Sequence, residues 1–438
     1  MNPLIQLKQT VPLFLAAFLL ACFGLSPGAQ AVMTDPQDWF PGGNTGAGQS
    51  ALLNLNVEVG QFSTAVGLVS LDALTTGDFN TGVGAGTLLA NTGNDNTATG
   101  AAALLSNITG EENTANGTSA LGRNIVGSWN TAMGSQALAS NTGDNNTATG
   151  FQALSSNTEG NGNTAVGSMA LFSNTTAVQN TAIGLGALRN SMTGGANTAT
   201  GWHALFSNTI GTFNTAFGWD ALGSNSTGGN NIAFGYGAGF TNTTGSNNVA
   251  LGAFAGKGVT TANNVICIGD GVLGADVSNS TWIANIWGVT PQSGNTAPVV
   301  VSDGGQLGIV ASSERFKKDI ATMENVSEVI LSLRPVTFHY KSDLKKAPQF
   351  GLIAEEVAKV NPALVLPDQE GKPYTVRYDA VNAMLLNEFL KEHRKVEKLE
   401  AALRTMNERL AEQDAKIQKV SAQIEVRKPA PQTVLNNQ

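Results

Sequence analysis

Two serine–lysine pairs lie at a sharp change of composition near residue 311. Ser312 precedes Lys317 by five residues, and Ser313 precedes Lys318 by the same spacing. A serine hydroxyl becomes a nucleophile when a neighbouring amine takes its proton, so either pair has the residue types for acyl chemistry. Polar junctions of this kind are also ordinary linkers. From the pairs alone the linker is the simpler interpretation.

The chain on either side of this junction has two different characters. Before residue 311 it is rich in Gly, Asn and Thr and has few charges, although 42% of the whole chain is hydrophobic. After the junction come a compact charged segment and a long stretch with apolar residues at heptad spacing. The serine–lysine pairs therefore separate a low-charge region from a charged C-terminal part.

Several ordered blocks follow the junction. They are Ser312-Ser313-Glu314-Arg315-Phe316-Lys317, Asp319-Ile320, Leu333-Arg334-Pro335-Val336-Thr337-Phe338, Tyr340-Lys341, Gly351-Leu352-Ile353-Ala354-Glu355-Glu356-Val357 and Tyr378-Asp379. With the coiled coil after them, these blocks resemble the endosialidase-type intramolecular chaperone domain, the self-cleaving C-terminal module of phage tailspikes and of some surface proteins. The resemblance covers roughly residues 312–425.

By that resemblance the chain cuts itself between Ala311 and Ser312, with Ser312 as nucleophile and Lys317 as general base. The Ser312 hydroxyl reaches the carbonyl carbon of Ala311 through a five-membered ring, the acyl group moves from nitrogen to oxygen, and water hydrolyses the ester. Ser313 with Lys318 ranks second. The expected enzyme is a single-turnover serine peptidase with no other substrate.

A lysine that acts as a base must be neutral, and its ordinary pKa of ~10.4 keeps it charged at neutral pH. A lysine pKa three units lower corresponds to ~4 kcal/mol of destabilisation of the ammonium form. Burial and the nearby charges of Arg315 and Lys318 are the expected sources. We therefore expect neighbouring chains to cover the site before cleavage.

Residues 1–31 have the pattern of a secretory signal peptide. Lys8 lies before an apolar core from Val11 to Leu25, and Ala29-Gln30-Ala31 fits a small-x-small cleavage site. The sequence around Cys22 also resembles a lipobox, so a lipoprotein is the alternative. Cleavage after Ala31 leaves Cys267 as the one thiol, which excludes an intrachain disulfide. The expected location is secreted, extracellular or at the cell surface, without a membrane span in the mature chain.

Residues 44–280 contain a repeated unit, Asn-Thr-Ala-x-Gly-x-x-Ala-Leu. Its glycine recurs from Gly48 to Gly269, first after 19 residues and then every 16 or 17. This period is too short for a pair of helices and suits one coil of a β-solenoid, predicted here with two short strands and two turns. Fourteen coils would form a rod of roughly 65 Å. Stacked asparagines are expected to form hydrogen-bond ladders rather than to carry glycans.

A core of Ala and Gly is thin, so a single solenoid would leave apolar surface bare and association is expected. The repeat resembles the head repeats of trimeric autotransporter adhesins, which implies a β-roll packed as a homotrimer. It differs in its longer unit and in the missing membrane barrel. The predicted fold is therefore mainly β, with a small α+β chaperone domain and a long coiled-coil helix at its end.

Six parts follow from these patterns: the signal peptide at 1–31, the solenoid at 44–280, a β-rich neck at 281–311, the chaperone domain at 312–378, a coiled coil at 379–425 and a disordered tail at 426–438. Within them we predict strands at 297–301, 306–310, 336–340, 350–353 and 376–378, and helices at 326–333 and 354–360. The apolar seam of the coiled coil comprises Leu385, Phe389, Val396, Leu399, Leu403, Met406, Leu410, Ile417, Val420 and Ile424, with polar Glu392 and Gln413 in the same register.

Other chemistry is poorly represented. The net charge of −8 disfavours nucleic-acid binding, and no cofactor or metal site is expected. Bulky residues cluster in the late repeats as Trp202-His203, Trp219-Asp220 and Phe234 with Tyr236. These residues suggest packing or an interchain contact in preference to a ligand patch.

These observations predict a secreted trimeric fibre or adhesin-like surface protein whose C-terminal domain assists trimerisation and then cuts itself off. A surface glycan or host receptor is the expected partner besides the chain itself. Two alternatives stay open: a polysaccharide-degrading enzyme carried by the rod, and an adhesin that is never cleaved. The missing acidic active-site pattern disfavours the enzyme.

Overall fold

The computed structural model describes residues 42–56, 58–289, 294–302, 304–368 and 370–426. The predicted signal peptide and almost all of the predicted tail lie outside these residues. The chain divides into two compact units, Met1–Gln292 and Ser293–Gln438.

The first unit is a parallel β-solenoid, as the sequence predicts. Its single sheet has 15 strands in sequence order, and each strand pairs in parallel with the next. The strands are Thr45–Ala47 (β1), Thr64–Val66 (β2), Thr81–Val83 (β3), Thr97–Thr99 (β4), Thr114–Asn116 (β5), Thr131–Met133 (β6), Thr147–Thr149 (β7), Thr164–Val166 (β8), Thr181–Ile183 (β9), Thr198–Thr200 (β10), Thr215–Phe217 (β11), Ile232–Phe234 (β12), Val249–Leu251 (β13), Ile266–Ile268 (β14) and Thr281–Ile283 (β15).

Each coil has one strand, so the prediction of two strands per coil is wrong. The Ala-Leu pair lies in a turn, where the leucine adopts a left-handed conformation; φ is 50° at Leu138 and 51° at Leu171. This conformation costs about 1–2 kcal/mol for a residue with a side chain, whereas full burial of a leucine stabilises by ~1.5–3 kcal/mol. Both leucines are completely buried. Stacking therefore holds the leucine in a conformation that local propensity disfavours.

The solenoid core is a column of small residues. The middle residue of most strands is an alanine with no exposed surface, such as Ala132 and Ala165, and it packs with the turn leucines. The glycine after each strand is also required by the stacking. Gly167 has φ of 133°, and a Cβ atom there would lie 2.5 Å from the carbonyl oxygen of Gly184. Coils therefore approach too closely for a side chain at this position.

Two buried ladders of asparagine run along the solenoid, as predicted. In the first, the residue before the strand bonds to its counterpart in the previous coil; Asn214 donates its backbone N–H to Asn197 Oδ1 at 2.9 Å. In the second, side-chain amides bond directly, with Asn174 Nδ2 to Asn157 Oδ1 at 2.6 Å. Because a buried amide needs partners, the ladders fix the register between coils.

The Asp276 carboxylate joins two neighbouring coils near the C-terminal end of the solenoid. Asp276 accepts hydrogen bonds from the backbone N–H groups of Thr260, Thr261 and Ala262 at 2.7–2.9 Å, and from both threonine hydroxyls at 2.7 and 2.8 Å. These donors, the Thr260 N–H foremost, hold the pKa of the Asp276 carboxyl well below its usual range. The Asp276 side chain thus supplies acceptors of the kind that a backbone carbonyl supplies in the preceding coil, where the Thr243 N–H donates to the Thr260 carbonyl oxygen.

The second unit contains small antiparallel sheets, short helices and one long helix. The β-strand pairs are Val300–Val301 (β16) with Leu307–Gly308 (β17), Val336–Phe338 (β18) with Gln349–Gly351 (β19), and Val365–Pro367 (β20) with Pro373–Val376 (β21). The 3-10 helices are Glu314–Phe316, Glu324–Ser332 and Pro362–Leu364, and the α-helices are Ala354–Val360 (α1) and Tyr378–Val426 (α2).

Most predicted elements of this unit are present, with shifted ends. Helix α1 has the predicted bounds. The segment predicted as a helix at 326–333 is a 3-10 helix, in which the β-branched Val326, Val329 and Ile330 disfavour regular α-helix. The last strand ends at Val376 because Tyr378 begins α2.

The core of the second unit is small. Val357, Leu364 and Val376 are buried, and Leu333 and Met384 are among the partly buried residues that pack against them. The seam of α2 is exposed in the single chain, with Leu403 at 53% and Leu410 at 50%. No helix in the described part of the chain is long and apolar enough to span a membrane.

Candidate functional site

The structure brings Ser312 and Lys317 together. Ser313 is extended, and a single 3-10 turn at Glu314–Phe316 then reverses the chain. The Lys317 backbone N–H donates to the Glu314 carbonyl oxygen at 2.9 Å, which closes the turn. The turn places Lys317 Nζ 3.3 Å from Ser312 Oγ. Ser312 and Lys317, five residues apart in the sequence, are thus in direct side-chain contact.

This contact has the geometry of a loose nucleophile–base pair. A general base takes a proton across about 2.6–3.2 Å, and such contacts are often longer before the reacting geometry is assembled. The second candidate pair differs: no hydrogen bond joins Ser313 to Lys318, both of which belong to the described residues. The local fold therefore favours Ser312 and Lys317 over Ser313 and Lys318.

The site is open in the single chain. Every residue from 311 to 320 is exposed, so the burial expected around Lys317 is not provided by its own chain. The charge of Arg315 is directed to the Phe316 ring, with Cζ 4.6 Å from the ring centroid. Phe316 and Ile320 are themselves 64% and 65% exposed. Both apolar side chains lie within four residues of Lys317 or Ser312 in the sequence and offer surface that a neighbouring chain can cover; Ser312 and Lys317 are called the dyad below.

A polar cluster anchors the segment that follows the dyad. Ser327, which is fully buried, donates to Glu388 Oε1 and accepts from Asn387 Nδ2 at 2.7 Å. Lys391 Nζ joins the cluster, 2.8 Å from Glu388 Oε1 and 3.2 Å from Glu328 Oε1. Hydrogen bonds from Lys391 and then Ser327 lower the pKa of the Glu388 carboxyl. The 3-10 helix Glu324–Ser332 is thereby fixed to α2.

Sequence reasoning did not find this cluster. Ser327 and Glu388 are 61 residues apart, and neither belongs to an apolar pattern. A second missed pair is Arg334 with Glu356, whose guanidinium and carboxylate form two hydrogen bonds of 2.6 and 3.1 Å. Arg334 lowers the pKa of the Glu356 carboxyl. Arg334 and Glu356 both belong to sequence blocks that carry the family resemblance, and that shared membership was the one sequence feature that could have pointed to their pairing.

The bulky residues of the late repeats form a stacked row. Trp202 stacks on Trp219 with centroids 5.0 Å apart, and Trp219 on Tyr236 at 4.5 Å, with ring planes within 9°. His203 stacks on Trp202 at 3.5 Å. Burial lowers the pKa of His203, and the nearby Asp220 opposes that shift. The rings cover one another's faces, whereas Trp202, Trp219 and Tyr236 keep 38%, 40% and 45% of their surface exposed.

The described residues contain no group of three or more His, Cys, Asp or Glu side chains that could hold a metal ion. Cys267 is buried in the solenoid core, which raises the pKa of its thiol. Among the described residues, the contact between Ser312 and Lys317 is thus the arrangement that fits a catalytic function.

Comparison with known proteins identifies the same segment. Residues 312–366 match the family model described as chaperone of endosialidase. The match begins at Ser312 and includes the 3-10 turn, the dyad and helix α1. No curated protein and no solved structure matches the chain. The chain thus combines a β-solenoid typical of fibre or adhesin repeats with a segment similar to an intramolecular chaperone.

Proposed function

We propose that this protein is a secreted trimeric fibre that carries its own assembly chaperone and releases it by self-cleavage between Ala311 and Ser312. The observation that carries the proposal is the 3.3 Å contact between Lys317 Nζ and Ser312 Oγ at the start of the matched segment. The rod that remains is a structural or adhesive surface protein, with a surface glycan or receptor as its partner.

The reaction begins with transfer of the Ser312 hydroxyl proton to the neutral amine of Lys317. Oγ attacks the carbonyl carbon of Ala311, the bond from that carbon to the Ser312 nitrogen breaks, and the lysine returns the proton to the nitrogen. Water then hydrolyses the ester between Ala311 and the Ser312 hydroxyl. The products are a carboxylate at Ala311 and a free amino group at Ser312.

Assembly into trimers is supported by two exposed apolar stripes. One is the seam of α2, whose heptad spacing fits further copies of the same helix. The other is the third residue of the solenoid strands; Ile183 is 42% exposed, Phe217 47% and Phe234 52%. The third strand residue is apolar except at Thr99, Asn116, Thr149 and Thr200. Parallel copies of the chain would cover both stripes. The number three comes from the two family resemblances.

Because the site is exposed in the single chain, we expect cleavage to require assembly of the trimer; this requirement is called the gate below. A charged lysine in water cannot serve as the base, whereas a site covered by neighbouring chains favours the neutral amine. Cleavage then follows trimer formation, and the cut fibre loses the helix that guided its assembly. It is left kinetically trapped in the folded state.

A denaturing gel with N-terminal sequencing of the fragments tests the proposal. The C-terminal fragment should begin at Ser312. Replacement of Ser312 or Lys317 by alanine should leave the chain intact, whereas Ser313→Ala, the matched control, should cleave as the wild type does. Cleavage of the Ser312→Ala variant at this bond would refute the assignment.

A further inference from the structure

The hairpin that ends just before the proposed cleavage site has an uncovered apolar face. Strands β16 and β17 pair antiparallel with Val301 opposite Leu307. Val299 precedes β16 and Ile309 follows β17, and continued alternation of side chains along the chain places both on the face of Val301 and Leu307. All four are 65–68% exposed in the single chain.

Such a hairpin needs a partner. A two-stranded hairpin is at best marginally stable alone in water, and it gains stability by packing one face against other elements. Here four large aliphatic side chains share the face, and the chain itself leaves about two-thirds of each exposed. A contiguous apolar face of this kind marks an interaction surface.

The chemistry of the segment fits a second copy of this chain. Between residues 294 and 310 the sequence has a single charged residue, Asp303, so identical hairpins meet with little like-charge repulsion. The seam of α2 in the same unit supplies the register. In the proposed assembly the same helix of another copy covers its heptads, and parallel helices bring identical upstream segments to the same level.

We infer that the hairpins of the assembled copies pack their apolar faces together and form a clamp that stays with the rod after cleavage. This inference rests on the proposed function and extends it to the cut product. The cleaved rod ends at Ala311, and its last ten residues, 302–311, include β17. When the coiled coil leaves, the hairpin clamp keeps the ends of the rods together.

Hydrogen exchange followed by mass spectrometry tests the clamp on the full chain. Peptides covering residues 299–310 should exchange at least tenfold more slowly in the assembled wild type than in a Leu403→Asp/Leu410→Asp variant, which cannot form the seam. Equal, fast exchange in both proteins would overturn the inference, whether or not the chain cleaves.

A variant with two added negative charges tests the role of the clamp after cleavage. Val301→Asp/Leu307→Asp should still assemble and cleave, but sedimentation should show its rods dissociating at least tenfold faster than wild-type rods. Thr296→Asp/Gln306→Asp adds the same two charges at polar positions of the segment and should behave as wild type.

The outcomes separate the two proposals. A protected hairpin in a chain that never cleaves would refute self-cleavage and support the packing of hairpins. Rods of the Val301→Asp/Leu307→Asp variant that stay together like wild-type rods would overturn the clamp while leaving cleavage intact. A wild-type chain that sediments as a monomer would overturn both.

Discussion

One serine interrupts the second asparagine ladder of the solenoid. Ser191 stands at the position held by Asn174 in the preceding coil and by Asn208 in the following coil, 17 residues away on each side. Its hydroxyl donates to the Gly194 carbonyl oxygen at 3.2 Å and does not continue the ladder. As a result the Asn174 Oδ1 atom is buried without a hydrogen-bond partner.

Ser191→Asn should repair this gap. The new amide would donate to Asn174 Oδ1 and accept from Asn208 Nδ2, like the neighbouring rungs with bonds of 2.6–3.1 Å. Each net hydrogen bond stabilises by about 1 kcal/mol, and an unsatisfied buried acceptor costs about 1–3 kcal/mol. The coil has the same length as its neighbours, so the larger side chain has a place in the stack. We expect a gain of roughly 2–3 kcal/mol per chain.

Thermal unfolding by circular dichroism at a fixed scan rate measures the effect. A gain of this size should raise the melting temperature by several degrees, at roughly 2–4 °C per kcal/mol for a domain of about 200 residues. Ser173→Asn introduces the same side chain at the half-exposed neighbour and should change little. In an Asn174→Ala background the benefit of Ser191→Asn should fall to about half. An unchanged or lower melting temperature for Ser191→Asn would refute the ladder argument.

Two further changes test the gate and the end of the solenoid. Leu403→Asp with Leu410→Asp places charges in the seam of α2, so assembly by sedimentation and cleavage on a gel should fail together; a monomer that cleaves at the normal rate would exclude the gate. Asp276→Asn removes the carboxylate that binds five donors and should lower the melting temperature at pH 7. Because the folded pKa of Asp276 is depressed, its stabilisation is complete above ~pH 4 and is lost as the pH falls further, so the difference between the two proteins should narrow there. A difference that grows in acid would contradict this assignment.

Much of the solenoid could be predicted from its repeat. The spacing of the glycines predicts the coil length, and the Thr-Ala-x-Gly segments coincide with the strands, as at Thr164–Val166. The turn leucines could not be placed, because a left-handed leucine such as Leu138 is stable only when other coils cover it. Periodicity predicts which residues are buried, but it does not distinguish a buried strand from a buried turn.

The candidate site also has parts that the sequence could predict and parts that it could not. The contact between Ser312 and Lys317 is local and needs one turn of chain, so their spacing and the family resemblance were enough to predict it. The bond from Ser327 to Glu388 spans 61 residues and depends on the docking of a short helix against α2. Residues 311–320 are exposed in the single chain, so the cover that the sequence analysis expects from neighbouring chains stays a prediction.

The ladders and close glycine contacts also determine how the rod responds to tension. Each coil stores 16 or 17 residues within ~4.8 Å of rod length, although the same residues fully extended span up to about 60 Å. A pull on the two ends loads all coils equally, and a terminal coil detaches first because it is held from one side only. Coils would therefore detach one at a time, and each would release tens of ångströms of extended chain. Under tension the rod would lengthen in repeated steps of nearly equal size, which limits the force on the structure attached to it.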